Sequence, residues 1–320
     1  RRVYVGLMSA SLDGRIHLEP GHRAVGESVA ARVKSAAGQR EAVKVECSDF
    51  DGVRYKVEMP DKDTLCVSLF VRNFPEIKDA VGDKYFQDRY PGLLNTAEPG
   101  YSLTVKVPLD QLPGGEVDAN EMVRQLSCMK RDVLGAPLRV CFDAIRDGKR
   151  PPRAHYVMNY RPNESIYVVP SADLAVVVYL VAFEDQIEQA IAKVFLQEIE
   201  ISRKQSRDLA TAPSVTYTQE PPHELKQLRL DVKTNPKNFV GFVSLAISKR
   251  NVDGDRLEKV LSLVEGYRSY LMYHVQGTKS QLHTRIRSRS TNWLQVLNRA
   301  MPEKLSVEKK TITGRTFKRS

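Results

Sequence analysis

Apolar side chains recur along this chain of 320 residues in two alternating rhythms, one of helical period and one of strand period. After a polar lead, Val25, Val29, Val33 and Ala36 fall at helical spacing, which predicts an amphipathic helix over 22–37 ended by Gly38. Strands are expected over 42–47 and 53–58, joined by Asp49-Phe50-Asp51-Gly52, residues that suit the positive backbone angles of a hairpin turn. A third strand over 65–71, a helix within 76–90, a fourth strand over 101–107 and a helix over 118–134 complete this unit. The last of these carries Met122, Leu126, Met129 and Val133 on one face.

The same order then repeats. Strands over 154–160 and 165–169 flank the turn Arg161-Pro162-Asn163-Glu164, and 174–182 forms a third. A helix over 185–198 is expected to turn Ile187, Ile191, Val194 and Phe195 inward. An excursion rich in Pro, Ser and Thr (202–238) precedes a strand over 239–247. Two hairpin–strand–helix–strand–helix units imply an internal duplication and an α/β (α+β) class, each sheet covered by helices. The expected domains are a lead of undefined role at 1–16, sheet-plus-helix domains at 17–150 and 151–253, a long helix at 254–301 and a tail at 302–320.

The last helix is the most informative element. No proline interrupts 254–301, and Pro302 ends it. Leu257, Val260, Leu261, Val264, Leu271, Val275, Leu282, Ile286, Trp293, Val296, Leu297 and Ala300 lie on a single stripe. At about 1.5 Å per residue this helix runs roughly 70 Å, while a domain of this size is about 35 Å across. Half the helix is therefore expected to outrun its own domain with its stripe uncovered, and another chain must cover it. A bend at Gly277, folding the helix back on its own chain, is the competing arrangement.

Charge sharpens this picture. Of 49 basic and 39 acidic side chains, twelve and two lie from Tyr267 onward, so the first 266 residues hold 37 of each and the net +10 sits at one end. Lys279, Arg285 and Arg289 lie on or beside the stripe, where they can pair with a partner's carboxylates. Arg287 and Arg299 point away from it, and the tail adds Lys309, Lys310, Arg315, Lys318 and Arg319. Such a surface favours an acidic partner, whether nucleic acid, anionic membrane or protein.

Hydrophobic residues at 42% and charged residues at 28% are ordinary globular values. The longest apolar run, 174–183, is half of what crosses a bilayer and lies between Asp173 and Glu184; no signal-peptide pattern opens the chain. Membrane insertion is not expected, and a cytoplasmic protein is. Cys47, Cys66, Cys128 and Cys141 make no C-x-x-C pair and read as reduced, mostly buried thiols. Gly277-Thr278-Lys279-Ser280 lacks the upstream glycine and the Gly-Lys pair of a phosphate loop and sits within a helix. His274 and His283 flank the stripe as packing or hydrogen-bonding residues rather than ligands, and turn geometry accounts for Asp49 and Asp51. No catalytic, metal or cofactor constellation is found, so no enzyme and no cofactor are expected. A nucleic-acid-binding protein is the alternative that the basic end permits, although the tail holds only Phe317 as an aromatic.

The sequence resembles the family of the 34-kDa subunit (subunit 2) of the actin-related protein 2/3 complex. The motifs that carry the resemblance begin with Asp49-Phe50-Asp51-Gly52-Val53, Lys193-Val194-Phe195-Leu196-Gln197-Glu198 and Glu220-Pro221-Pro222-His223-Glu224-Leu225. They continue with His283-Thr284-Arg285-Ile286-Arg287, Val296-Leu297-Asn298-Arg299-Ala300 and Lys310-Thr311-Ile312-Thr313-Gly314-Arg315-Thr316-Phe317. The resemblance runs from about Leu18 to the C-terminus. It implies two similar α/β units and a long helix that pairs antiparallel with the matching helix of the 20-kDa subunit, at the core of a seven-subunit assembly. It also implies contact with the side of an actin filament in branched nucleation at the cell cortex, with ATP held by the two actin-related subunits. On this chain the partner helix would meet Leu271, Val275, Leu282, Ile286, Arg289, Trp293 and Leu297. The filament would meet Arg287, Arg299, Lys309, Lys310 and Arg315. Three features depart from the family pattern. Residues 1–16 have no counterpart, Gly135-Ala136-Pro137 interrupts a helix and implies a kink or two shorter helices, and Gln295 stands where relatives tend to carry a lysine.

Overall fold

The computed structural model describes residues 8–10, 16–18, 21–36, 39–49, 51–111, 116–205, 212–230, 232 and 234–300. Within the N-terminal lead, β1 (Met8–Ala10) pairs antiparallel with β2 (Ile16–Leu18). The first helix, α1 (Arg23–Val33), is shorter than its apolar spacing suggests. His22 caps it, accepting a hydrogen bond at Nδ1 from the Val25 amide, and buries its ring 4.3 Å from that of Tyr55. The stop expected at Gly38 lies outside the described residues.

Strands β3 (Lys44–Ser48) and β4 (Arg54–Asp61) form the expected hairpin. Asp49 Oδ1 accepts from the amides of Asp51 and Val53, and Gly52 takes φ +76°, so the turn chemistry is as its composition requires. Strand β5 (Thr64–Phe70) follows, then α2 (Phe74–Val81) and α3 (Asp83–Arg89). The sequence suggests one helix here; Gly82, at φ +80° and ψ 163°, divides it in two. A two-residue edge strand, β6 (Leu94–Asn95), and β7 (Leu103–Pro108) complete a five-stranded antiparallel sheet in the order β3-β4-β5-β7-β6.

The expected single helix over 118–134 is two, α4 (Glu116–Ser127) and α5 (Met129–Leu134); α6 (Ala136–Arg146) follows, so the Gly135-Ala136-Pro137 break does divide a helical run into shorter helices, although the pattern reading gave the second of them no range. Gly135 ends α5 and opens α6, with Pro137 in the first turn where a missing N–H costs nothing. Leu138, Cys141, Phe142 and Ile145 of α6 are buried at helical spacing, in the core of the second sheet.

That second sheet contains β8 (Tyr156–Arg161), β9 (Glu164–Pro170) and β10 (Leu174–Ala182). After α7 (Gln186–Gln205) come β11 (Ser214–Thr218), the short α8 (His223–Gln227), β12 (Phe239–Ser248) and α9 (Lys249–Val252). Its order is β11-β12-β10-β9-β8. Substituting β8, β9, β10, β11 and β12 for β3, β4, β5, β6 and β7 reproduces the first sheet in the same order. The duplication is therefore topological as well as sequential. β11 arises within the stretch that was expected to be irregular.

The run from Leu174 to Ala182 is continuously apolar because β10 is covered on both faces. Ala175, Val177, Tyr179 and Val181 join the core shared with α6 and the final helix, and Val176, Val178 and Leu180 meet Leu225, Leu230 and Val232 of the excursion. Helix α7 turns Ala192 and Leu196 fully inward, with Ile191, Phe195 and Ile199 packed beside them. Ile187 and Val194, expected inside, are exposed instead. This helix carries more apolar side chains than one face can bury, and the sheet selects the centre of the band.

The final helix, α10 (Arg256–Ala300), is one uninterrupted run of 45 residues, about 68 Å long. Gly277 does not interrupt it. Residues 1–275 form one compact unit and those from Gln276 onward a second.

Candidate protein-protein interface

Two different surfaces meet along α10. From Leu257 to Val275 its apolar positions belong to the core of the second sheet, and the Tyr179 hydroxyl donates to the Val264 carbonyl at 2.7 Å. Leu271 and Val275, assigned above to a partner helix, are completely buried by the chain itself and leave that set. Helical spacing alone does not mark where an apolar stripe stops serving its own core. His274 packs between rings, 5.1 Å from Phe195 and 4.4 Å from Tyr270, and burial lowers its pKa.

From Gln276 to Ala300 every residue except Lys279 is exposed. Leu282, Ile286, Trp293, Val296 and Leu297 are 42, 55, 65, 56 and 47% exposed. Leu282, Arg289 and Val296 repeat every seven residues, as do Lys279, Ile286, Trp293 and Ala300. A seven-residue repeat is the pattern of a helix that seats a second helix along a supercoiled seam. Val296, which the partner set above omits, is one of its positions, and Leu294 is exposed away from the seam. The seven-residue period was already readable in the sequence.

The charges of this stretch are one-sided. Lys279, Arg285, Arg287, Arg289 and Arg299 meet no acidic residue between Gln276 and Ala300. Among the described residues, Arg285, Arg287, Arg289 and Arg299 have no carboxylate within ion-pair distance. At about 100° per residue, Arg289 lies on the seam, whereas Arg287 and Arg299 lie on the outer face with Gln295. Thr284, Ser290 and Thr291 satisfy their hydroxyls on the carbonyls four residues earlier, Ser280, Ile286 and Arg287. Lys309, Lys310 and Arg315 lie outside the described residues.

The base of α10 is fastened by a buried ionic cluster that the sequence reading missed. Lys130 of α5 reaches Asp49 at 2.7 Å, Asp51 at 2.6 Å and Glu265 of α10 at 2.8 Å, and all four side chains are buried. Asp51 also accepts from the Ser269 hydroxyl at 2.8 Å and pairs with Arg161. Arg161 continues to Glu164, which binds Arg268 at 2.6 Å. Burial pushes the Asp51 carboxyl up, but the Lys130 ammonium, Arg161 and the Ser269 hydroxyl together outweigh it and hold the group below its ordinary range. For Glu265 burial wins and its pKa is raised, although Lys130 opposes this. Burial would lower the Lys130 pKa, but Glu265, Asp51 and Asp49 together raise it well above normal. Asp51 is thus more than a turn residue: it ties the first hairpin to α10. Beside this cluster, Arg131 and Arg139 meet Glu258 of α10 at 3.0 and 2.6 Å, and Arg89 grips Asp132 with two bonds.

A duplicated α/β body followed by a long helix with an exposed apolar repeat and unpaired arginines has the architecture of a structural subunit. Comparison with known proteins agrees. A family model described as "Arp2/3 complex, 34 kD subunit p34-Arc" matches residues 67–304. "Actin-related protein 2/3 complex subunit 2" of Dictyostelium discoideum is 32% identical over 276 residues, covering 85% of this chain and 90% of that relative. The protein of the same name from Schizosaccharomyces pombe is 28% identical over 291 residues, with the same coverage of each. The chain belongs to the p34-Arc family of Arp2/3 complex subunits, which are structural and non-catalytic. No helix among the described residues is long and apolar enough to cross a membrane.

Proposed function

We propose that the seam of α10 seats the matching helix of the 20-kDa subunit of the same complex, and that the outer arginines contact the side of an actin filament. The exposed seven-residue repeat, edged by unpaired arginines, carries this reading. An apolar side chain half-exposed in the free chain gains about 1 kcal/mol on burial, so Leu282, Ile286, Trp293, Val296 and Leu297 together supply on the order of 5 kcal/mol to pairing. Arg289, on the seam, requires a carboxylate opposite it. Arg287 and Arg299, with Lys309, Lys310 and Arg315 of the tail, form the filament-side set. The remaining partners are the other subunits of the complex, including the two actin-related proteins, and the place of work is the actin-rich cell cortex.

Co-sedimentation of the assembled complex with filaments tests the second half of this reading. Arg287→Glu combined with Arg299→Glu is expected to weaken pelleting, and raising the salt should do the same to the wild type. Unchanged pelleting of the double variant would remove these residues from the filament contact. Tight, salt-resistant binding of nucleic acid by the wild type would favour the alternative partner class instead.

A further inference from the structure

Between Arg285 and Thr291 the exposed part of α10 runs Arg-Ile-Arg-Ser-Arg-Ser-Thr. Ser290 has Arg287 three residues before it and Arg285 five before. Ser288 has Arg285 three before and Arg287 adjacent. Kinases with acidic substrate grooves select serines by arginines at such spacings. Here both serines and all three arginines are exposed, and none of those arginines is engaged by a carboxylate among the described residues.

A kinase needs its acceptor in extended backbone, so the helix must open locally. Its composition makes opening cheap: Gly277, Thr278, Ser280, Thr284, Ser288 and Asn292 are all poor helix formers. Ser290 and Thr291 spend their hydroxyls on backbone carbonyls, which weakens a helix further. No side chain from Gln276 to Ala300 is buried, and burial is the main source of helix stability in proteins. Ser288 lies about 120° from the middle of the seam, so it stays open when a partner helix is seated.

We propose that Ser288 and Ser290 are acceptors for an arginine-directed Ser/Thr kinase, and that phosphorylation turns off the outer arginine face. The second clause rests on the filament reading above. In the reaction the serine Oγ attacks the γ-phosphorus of ATP, forming the Oγ–P bond. The bond from that phosphorus to the β–γ bridging oxygen breaks and ADP leaves, while the hydroxyl proton passes to the kinase's catalytic carboxylate. Each phosphate brings a charge of about −1.5 to −2. One at Ser290 sits a helical turn from the outward Arg287 and engages it, while one at Ser288, a turn from Arg285 and adjacent to Arg287, sets its negative charge on the outer face itself. The stretch from Gln276 to Ala300, with five basic residues, drops to about +1 to +2.

The assembled complex, treated with Mg-ATP and an arginine-directed kinase and mapped by mass spectrometry, is expected to carry phosphate at these two serines. The Ser288→Ala/Ser290→Ala complex should incorporate at least about tenfold less in this segment. Absence of phosphate at both sites overturns the proposal, whether a peptide of residues 283–295 is modified (the helix shields them) or is not (the motif is not read). The phosphorylated complex should pellet with filaments roughly three- to tenfold more weakly, reversibly with phosphatase, as expected for occupying Arg287 and setting a like charge against an acidic filament surface. Modified serines with unchanged pelleting refute the switch. If the unmodified Arg287→Glu/Arg299→Glu complex also pellets normally, the filament assignment is what has failed.

Discussion

Replacing Lys130 by methionine keeps the aliphatic stem and removes only the ammonium at the centre of the buried cluster. Three carboxylates then lose their nearest cation, at 2.7, 2.6 and 2.8 Å in the native chain. Removing one partner of a buried ion pair costs about 3–5 kcal/mol, because the remaining charge stays desolvated and unmatched. For a body of this size each kcal/mol shifts the melting temperature by about 2–4 °C, so the expected fall is roughly 6–20 °C. Glu265→Gln should behave quite differently. The cluster holds three cations, Lys130, Arg161 and Arg268, against four carboxylates, Asp49, Asp51, Glu164 and Glu265. It therefore carries one surplus negative charge, and Glu265 is the carboxyl that burial pushes toward its neutral form. The glutamine balances the cluster, and its stability should stay within about 1 kcal/mol of wild type. Urea unfolding followed by circular dichroism measures both variants. The reasoning is refuted if Lys130→Met unfolds with the wild type, or if Glu265→Gln is equally damaging.

Other outcomes follow from the same structure. The raised pKa of Glu265 means that the folded chain binds a proton more readily than the unfolded one, so its contribution favours folding at low pH and is lost as pH rises through the folded value. Wild type should accordingly lose stability relative to Glu265→Gln as pH is raised from about 4.5 to 7, and a constant difference across that range would contradict the assignment. Asp51, held below its ordinary range, acts in the opposite sense, stabilising at neutral pH and losing that contribution as pH falls through its folded value; Asp51→Asn should therefore be destabilised at pH 7 and draw closer to wild type as the pH is lowered. Gly82→Ala forces a side chain into a backbone region that glycine alone occupies, and should cost about 1–3 kcal/mol by denaturant titration although the space around it is open. Ile286→Ser with Trp293→Ser should leave the melting temperature of the isolated chain within about 1 °C, since both side chains are exposed, while abolishing co-purification with the 20-kDa subunit.

How far the sequence could be read depended on whether a residue's role was local. The Asp49–Gly52 turn, the two hairpins and the uninterrupted α10 follow from neighbours in the chain, and all were legible. Helix α6 was legible too, since Leu138, Cys141, Phe142 and Ile145 keep the period, but Pro137 drew attention to the break and away from the helix it begins. β6 and β11 are short edge strands defined by their partners β7 and β12, with little pattern of their own. What periodicity could not supply is which chain covers an apolar face. It placed Leu271 and Val275 with a partner when their own core takes them, and Ile187 and Val194 inside when they are exposed. Lys130 gave no local signal, because its three carboxylates come from positions 49, 51 and 265.

The contacts between the duplicated halves carry a consequence for how the chain can be divided. The open edge of β8 is not left bare: the Glu76 carboxylate of α2 accepts from the Asn159 amide and side chain. Arg153 likewise clasps Asp79 across the junction. Cutting the chain near residue 150 would strip β8 of this guard and turn an unpaired strand edge toward any neighbouring molecule. It would also orphan Arg161 and Glu265 from Asp51 and Lys130. The two halves share a topology but have ceased to be interchangeable parts. Each is now the other's chaperone, and soluble expression of either alone should fail where the joined chain succeeds.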